Sequence, residues 1–413
     1  MESLKPSKKI VIVGGGFGGI RAALDLAKRK LPNAKIVLIS DKPYFEYSAA
    51  LYRAATGRSL LEARIPLKEI FNDTGVEIIE DAVARINLKE KILVGGSDSR
   101  YSFDFLVLSL GNETAYFNIP GLQELSFGFK SVNEALRLKK HLHELFASCE
   151  KINAAEKICA ARIIIIGAGA SGAELAGELA VYRQKLAKNH RLDPSLIAIN
   201  LIEAAPRILP LLPEDVSKRV EQRLRDLGVD IFLNKAVTKE DVEGIYLKDM
   251  EIKTKTVVWA AGLKPNYLYG ETAGLEIDKK GRVLVNEYLQ PKDYENVFVI
   301  GDAAATLYAG MAQTAIRDGK FAAKTMIRKL AGKPLSPYQP RAPFYAIPAG
   351  PGWAAVIIGR LRFYGKIGWW LRQLADFRFF LTILSPRKAI LVFQSGKTLC
   401  ESCAVCLPQK DQP

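Results

Sequence analysis

The most constraining feature of the chain is a short apolar run that breaks on closely spaced glycines and resumes as a helix. It occurs twice. Lys9–Val13 ends in Gly14-Gly15-Gly16-Phe17-Gly18-Gly19, followed by a helical pattern over Ile20–Lys28 and an apolar run at Ile36–Ile39. About 150 residues later, Arg162–Ile166 ends in Gly167-Ala168-Gly169-Ala170-Ser171-Gly172, followed by a helical stretch at Ala173–Ala187 and an apolar run at Leu196–Ile202. Strand, glycine turn, helix, strand is a βαβ unit, and it commits each region to a parallel sheet. The recurrence reads as a duplicated architecture rather than a short solenoid repeat. In each G-x-G-x-x-G the first glycine permits the tight turn and the second lets backbone approach a pyrophosphate. The third lets helix pack close to sheet. The helix start then offers free N–H groups and a positive dipole end to an anion. A lone motif of this kind serves packing alone often enough; here strand and helix flank both copies correctly, so both read as nucleotide cradles.

The 413 residues predict two or three domains with large cores. At 49% hydrophobic and 25% charged, the chain is neither disordered nor collagen-like. Five cysteines cannot staple a secreted fold, and the odd count points to a reducing compartment. The formal charge is +15, with +7 of it in the 73 residues from Arg341 to Pro413. Such an excess favours anionic partners, and its concentration in the tail asks for a separate explanation. MESLKPSKK runs directly into the first strand, which is not a signal-peptide core, and no uncharged apolar stretch is long enough to predict a spanning helix.

Other strand-like pieces lie at Val76–Ile79, Lys91–Val94, Phe103–Leu110 (closing on Gly111), Val257–Trp259 (closing on Ala260-Ala261-Gly262) and Val297–Ile300 (closing on Gly301-Asp302). Strands that end in glycine at their carboxyl ends are what an open parallel sheet offers a nucleotide. Glu203 ends the strand after the second cradle. A carboxylate there can accept both ribose hydroxyls and repels a 2′-phosphate, which favours NAD(H); the alternative is a solvated strand end. Its spacing from Gly172 exceeds the usual one, and the surplus is assigned to a long helix and the loop Lys188–Ser195. Arg207 weighs the other way, because it can neutralise a phosphate. Two cradles imply two nucleotides, and one nicotinamide with one flavin is the useful pair.

At this point the residues resemble the type II NADH:quinone oxidoreductases, within the two-dinucleotide flavoprotein disulfide reductase superfamily. The matching stretches include IVIVGGGFGGIRAA, YFEYSAALYRAATG (Tyr44–Gly57), Gly111-Asn112-Glu113-Thr114, IIIIGAGASGAELAGELA, NLIEAAPRILP, VVWAAGLKPN, ENVFVIGDAA and Met311–Arg317. The resemblance covers residues 8–330 strongly and the tail loosely. It implies an α/β fold with two Rossmann-type dinucleotide-binding domains, FAD in the first and NAD(H) in the second. FAD would contact Gly14, Gly15, Gly16, Phe17, Gly18, Gly19, Val83, Gly111, Gly301, Asp302 and Ala312. For Asp302, a helix N-cap is the other reading. The family's acidic residue for the FAD ribose is replaced here by Ser40, with Asp41 following. NAD(H) would meet Gly167, Gly169, Ala170, Gly172, Glu203, Ala261 and Gly262. Glu174, placed on the first turn of the second cradle helix, matches a family Glu near nicotinamide and quinone; it is either a proton carrier or a dipole-compensating Glu. Glu178 shares its face and is expected to matter less. Gln313 matches the first glutamine of a quinone-site helix, and Arg317 replaces the second: it can stabilise a quinol anion, or pair with a carboxylate and block the pocket.

The expected domains are 1–120 with 265–340 for FAD, 121–264 for NAD(H), and 341–413 as a membrane-associating or dimerising segment; Pro334–Pro348 reads as a linker or edge. In 361–384, Arg362, Lys366, Arg372, Gln373 and Asp376 gather on one side. Phe363, Tyr364, Ile367, Trp370, Leu371, Leu374, Phe377 and Leu381 lie mostly on the other. Gly365 and Gly368 are expected to split this segment. A basic stripe opposite aromatics suits a helix in a membrane interface, on the cytoplasmic face; a homodimer contact is the competing use. Cys400, Cys403 and Cys406 are one ligand short of a structural zinc site, and no metal is expected. The rivals to an NADH:quinone enzyme are sulfide:quinone reduction, a soluble NADH:acceptor reductase, and a basic flavoprotein binding nucleic acid, for which no motif is present.

Overall fold

The computed structural model describes residues 8–149 and 154–399; the Cys400, Cys403 and Cys406 expectation lies outside them. The chain divides into two compact units: 1–46, 64–113 and 263–343 form the first, and 47–63, 114–262 and 344–413 the second.

In the first unit Lys8–Val13 is the middle strand of a five-stranded parallel sheet. Its neighbours are Phe105–Leu108 and Ala34–Ser40, flanked by Val297–Val299 and Glu77–Glu80. The registers Val13↔Ile39 and Val13↔Leu108 bring three strands to their carboxyl ends together, where the chain turns at Gly14. The β-branched run IVIV is buried on both faces, which is why it shows no polar alternation. Val11, Val37, Leu106 and Val297 join Tyr269 and Val283 in one core cluster. Lys91–Val94 does not join this sheet. As Ile92–Gly95 it pairs antiparallel with Val83–Asn87 and Arg100–Ser102.

The second unit repeats the plan. Its parallel sheet runs Phe127–Gly128, Thr256–Trp259, Arg162–Ile166, Ala198–Ile202, Val229–Phe232, and the register Ile166↔Ile202 and Ile166↔Trp259 again ends three strands together. The helix after the second glycine turn is Ala170–Asn189, 20 residues long, so helix and following loop account for the wide spacing before Glu203. Because it starts at Ala170, Glu174 sits on the second helical turn and not the first. Beyond residue 343, Tyr345–Pro348, Ala354–Ile358 and Leu361–Phe363 form an antiparallel sheet. A single helix, Gly365–Ile383, follows, then Pro386–Ser395. The expected split at Gly365 and Gly368 does not occur. Gly365 sits at φ +68° at the helix start, and Gly368 is packed so closely on the Ala354 carbonyl that a side chain would collide with it. Among the described residues no helix is long and apolar enough to cross a membrane.

Candidate functional site: two glycine cradles and a buried charge cluster

The first cradle is shaped by backbone contact. Gly14 is at φ +105°, and a Cβ there would overlap the Ser109 carbonyl oxygen; a Cβ on Gly19 would overlap the Gly14 carbonyl. Gly16 differs: nothing lies within 4 Å of where its Cβ would be. The two outer glycines are needed for packing, whereas the middle one opens on space a pyrophosphate can enter. The helix Phe17–Ala27 has no side-chain cap and no acidic residue in its first turn, which is the kind of helix start that suits an anion. Phe17 packs edge-on against Phe45, with ring centroids 4.9 Å apart. The buried Ser40 has its Oγ against Gly15, and Asp41 is exposed beside it. Val83 is buried, and Gly111 is at φ +70°.

Asp302 accepts a 2.5 Å hydrogen bond from Asn112 Nδ2. The N–H of Gly301 donates to Asp318 Oδ2 at 3.0 Å, and Tyr338 Oη donates to Asp318 Oδ1 at 2.5 Å. Asp318 is fully buried, and burial pushes its carboxyl up to about 6 against those two hydrogen bonds. The sequence reading missed Asp318; an acid in the middle of an apolar helix face was the available signal. Ala312 and Gln313 start the helix Ala312–Leu330. Arg317, four residues on, donates from Nη1 to the carbonyls of Arg341, 2.6 Å, and Ala342, 3.3 Å.

The second cradle has the same division of labour. Gly167 is at φ +98° against Ala261, a Cβ on Gly172 would strike the Gly167 carbonyl, and Gly169 faces nothing within 4 Å. The helix beginning at Ala170 also lacks a side-chain cap and a first-turn acid. Gly262 is pinned against Ala115 and Phe117. Glu203 is built into this turn: Ala168 N–H donates to Oε2 at 2.7 Å and Ala205 N–H to Oε1 at 2.9 Å. It is therefore an oriented carboxylate at the cradle and not a loose strand end. Arg207 is held away from a phosphate role, because its guanidinium donates to the carbonyls of Leu209, Pro210 and Leu212. Both cradles have the open centre and the uncapped helix start that a dinucleotide needs.

Within the second unit lies a charge cluster that the sequence did not reveal. Asp376, fully buried on the helix Gly365–Ile383, accepts from Tyr47 Oη and pairs with Arg372, and at 3.4 Å with Arg53. Arg53 also pairs with buried Glu62 at 2.5 Å, and Arg372 donates to the Ala49 carbonyl at 3.1 Å. Burial pushes the Tyr47 hydroxyl up to about 12. Glu174 lies near this cluster: loss of water pushes its carboxyl up to about 7, although Arg372 and Arg53 pull it down. The macrodipole is no longer the main influence on it, since that falls off within the first turn.

Packing decides which side of the tail helix turns inward. Arg372, Gln373 and Asp376 point inward, whereas Ile367, Trp370 and Leu374 are 64%, 71% and 61% exposed. Buried partners decide the facing: the polar side is matched by Arg53, Tyr47 and a backbone carbonyl, and the apolar side is left over. Among the described residues no three His, Cys, Asp or Glu are grouped to hold a metal, and Cys149 and Cys159 are free thiols.

Two parallel sheets, each ending in a dinucleotide cradle, define the class of two-nucleotide oxidoreductases, and the sequence family described as pyridine nucleotide-disulphide oxidoreductase matches residues 8–319. The chain is 32% identical over 391 residues to a type II NADH:quinone oxidoreductase of Mycobacterium tuberculosis, covering 88% of this chain and 82% of that one. It is 28% identical to that of Staphylococcus saprophyticus, covering 94% and 98%. The fold matches NDH2 of Plasmodium falciparum, solved in complex with NADH, with a TM-score of 0.84 at 16% identity over 95% of this chain and 98% of the other. The sulfide:quinone oxidoreductase of Aquifex aeolicus shares it with a TM-score of 0.76 at 20% identity, covering 94% and 92%. The chain belongs to the type II NADH:quinone oxidoreductase family.

Proposed function

We propose that this chain is an FAD-dependent NADH:quinone oxidoreductase, with FAD held by the first unit and NADH by the second. The carrying observation is the pair of cradles whose outer glycines are closed by backbone and whose middle glycines, Gly16 and Gly169, stand open. When bound, FAD supplies two-electron chemistry between a nicotinamide and a quinone. The chain's own residues do the rest. The helix starts at Phe17 and Ala170 would hold the two pyrophosphates. Glu203, already oriented by Ala168 and Ala205, has lone pairs left to accept ribose hydroxyls and to repel a 2′-phosphate. Asp318 fixes the Gly301 N–H and so the loop that presents Asp302. Glu174, with its carboxyl raised to about 7, holds or releases a proton at neutral pH. Gln313 is the proposed quinone contact, and Arg317 anchors residues 341 and 342 to the same helix.

The enzyme is further proposed to work at the cytoplasmic face of a membrane. The support is the exposed row Ile367, Trp370, Leu374 and Leu381 on one helix and Ile390 and Leu391 on the next. Exposed Lys366, Arg378 and Arg387 lie among them. Such a surface suits acyl chains below and anionic headgroups around. The deciding experiment for the activity is an absorbance spectrum under anaerobic conditions: NADH should bleach a bound flavin within a stopped-flow record, and quinone should restore the colour. A colourless protein, or a flavin bleached by NADPH alone, would refute the reading.

A further inference from the structure

The reaction proposed above sets a demand for protons, and the following inference rests on it. Quinone becomes quinol by gaining two electrons and two protons. NADH contributes both electrons and one proton as hydride, so the other proton must come from water.

The second cradle helix carries two carboxylates one turn apart, Glu174 and Glu178. Residues at this spacing share a helix face, with Cβ atoms roughly 5–6 Å apart. Glu178 is 5% exposed, yet it lines a small cavity with Arg58, Trp369, Gln373, Phe393 and Lys397, and among the described residues it is the carboxylate lining it. Lys397 is exposed and Arg58 partly so, which opens the cavity to solvent. The groups facing Glu178 come from several elements: Arg58 Nη2 is 3.4 Å from Oε1, Arg53 and Tyr52 lie close enough to act on it electrostatically, and Lys397 and Gln373 also line the cavity. Arg58 is itself fixed, since Nη1 donates to the Lys397 carbonyl at 3.3 Å, and the next residue's N–H, Ser59, donates to the Thr398 carbonyl at 3.0 Å. Burial raises the Glu178 carboxyl, while Arg58 and Arg53 pull it down. It is a buried acid at the wall of a surface cavity, one helical turn from Glu174.

We propose that Glu178 is the proton-entry group of this protein, taking a proton from water in the Arg58–Lys397 cavity and passing it along the helix face to Glu174. The O–H bond of Glu178 breaks as an O–H bond forms on Glu174. The resulting Glu178 carboxylate rests against Arg58 until a proton from water restores it. Nothing is oxidised or reduced in the relay; the proton is the one that NADH does not supply.

Ferricyanide separates this from a structural role, because it accepts electrons without protons. In full-length flavin-loaded protein, Glu178→Gln should leave NADH:ferricyanide turnover within about twofold of wild type. It should lower quinone kcat at least about tenfold, with the quinone KM unchanged. Its solvent deuterium isotope effect should rise for quinone only, and Glu178→Asp should recover part of the rate. A second variant leaves the carboxylate in place: Arg58→Gln removes a cation and raises the Glu178 pKa. Quinone turnover, which needs protonated Glu178, should then persist to higher pH. Equal losses with both acceptors, unchanged quinone turnover, or a stationary alkaline limb in Arg58→Gln would overturn the assignment. Wild-type protein that reduces ferricyanide but not quinone would instead sink the functional reading itself.

Discussion

Replacing Asp376 with alanine removes the one carboxylate that three buried groups share. Arg53 keeps Glu62 at 2.5 Å, whereas Arg372 keeps the Ala49 carbonyl at 3.1 Å but loses its ion pair, and Tyr47 loses its hydrogen bond to Asp376. Arg372 is 6% exposed, so its charge has little water to turn to. Breaking a buried ion pair from one side costs about 3–5 kcal/mol, and at roughly 2–4 °C per kcal/mol for a unit of this size the melting point should fall by roughly 10 °C. Differential scanning calorimetry of the flavin-loaded protein measures it. The double variant Asp376→Leu with Arg372→Met removes both charges and should recover most of the loss, because well-packed apolar pairs replace buried ion pairs at little cost. A loss under about 1 kcal/mol for the single variant, or a double variant no better than the single, would refute the idea that Asp376 sets which way the tail helix faces.

Glu203→Ser should raise the KM for NADH and narrow its advantage over NADPH by about tenfold or more, read from flavin bleaching with each donor, since an oriented carboxylate is worth at least ~1.4 kcal/mol here. Trp370→Glu with Leu374→Glu should abolish flotation on liposomes of mixed neutral and anionic lipid while leaving NADH:ferricyanide turnover intact; each removes roughly 1.5–3 kcal/mol of apolar burial. The Glu174 carboxyl, about 7 in the fold against 4.5 in the unfolded chain, makes the native state bind more protons between those values. Its contribution is therefore full below pH 4.5 and lost as pH rises to 7. Glu174→Gln should flatten that decline by at most about 3 kcal/mol, measured by urea unfolding across the window.

Much of the fold was legible because its instructions are local. A glycine that must hold φ near +100°, as Gly14 and Gly167 do, leaves its mark in the residue type itself. A strand buried on both faces, such as Arg162–Ile166, shows as an unbroken apolar run. Glu203 was legible for the same reason, since it ends the strand next to its cradle, although its two backbone hydrogen bonds were not. Context was not legible. Lys91–Val94 is as apolar as a core strand but pairs in a small antiparallel sheet, and strand patterns do not name their partners. Glu174 was expected on the first turn because the helix start was placed three residues late.

The tail shows where sequence stops. Periodicity sorted Arg372, Gln373 and Asp376 from Ile367, Trp370 and Leu374 onto opposite sides of one helix, and that sorting is correct. It could not say which side turns inward. That was decided by Arg53, Tyr47 and Glu62, more than 300 residues away along the chain. A charged residue is free to be buried only when another segment brings the opposite charge to meet it. The sequence alone determined the two cradles, because they are made by neighbours; the inward polar face and the carboxylate at the cavity wall depend on distant segments, and only the folded chain puts those together.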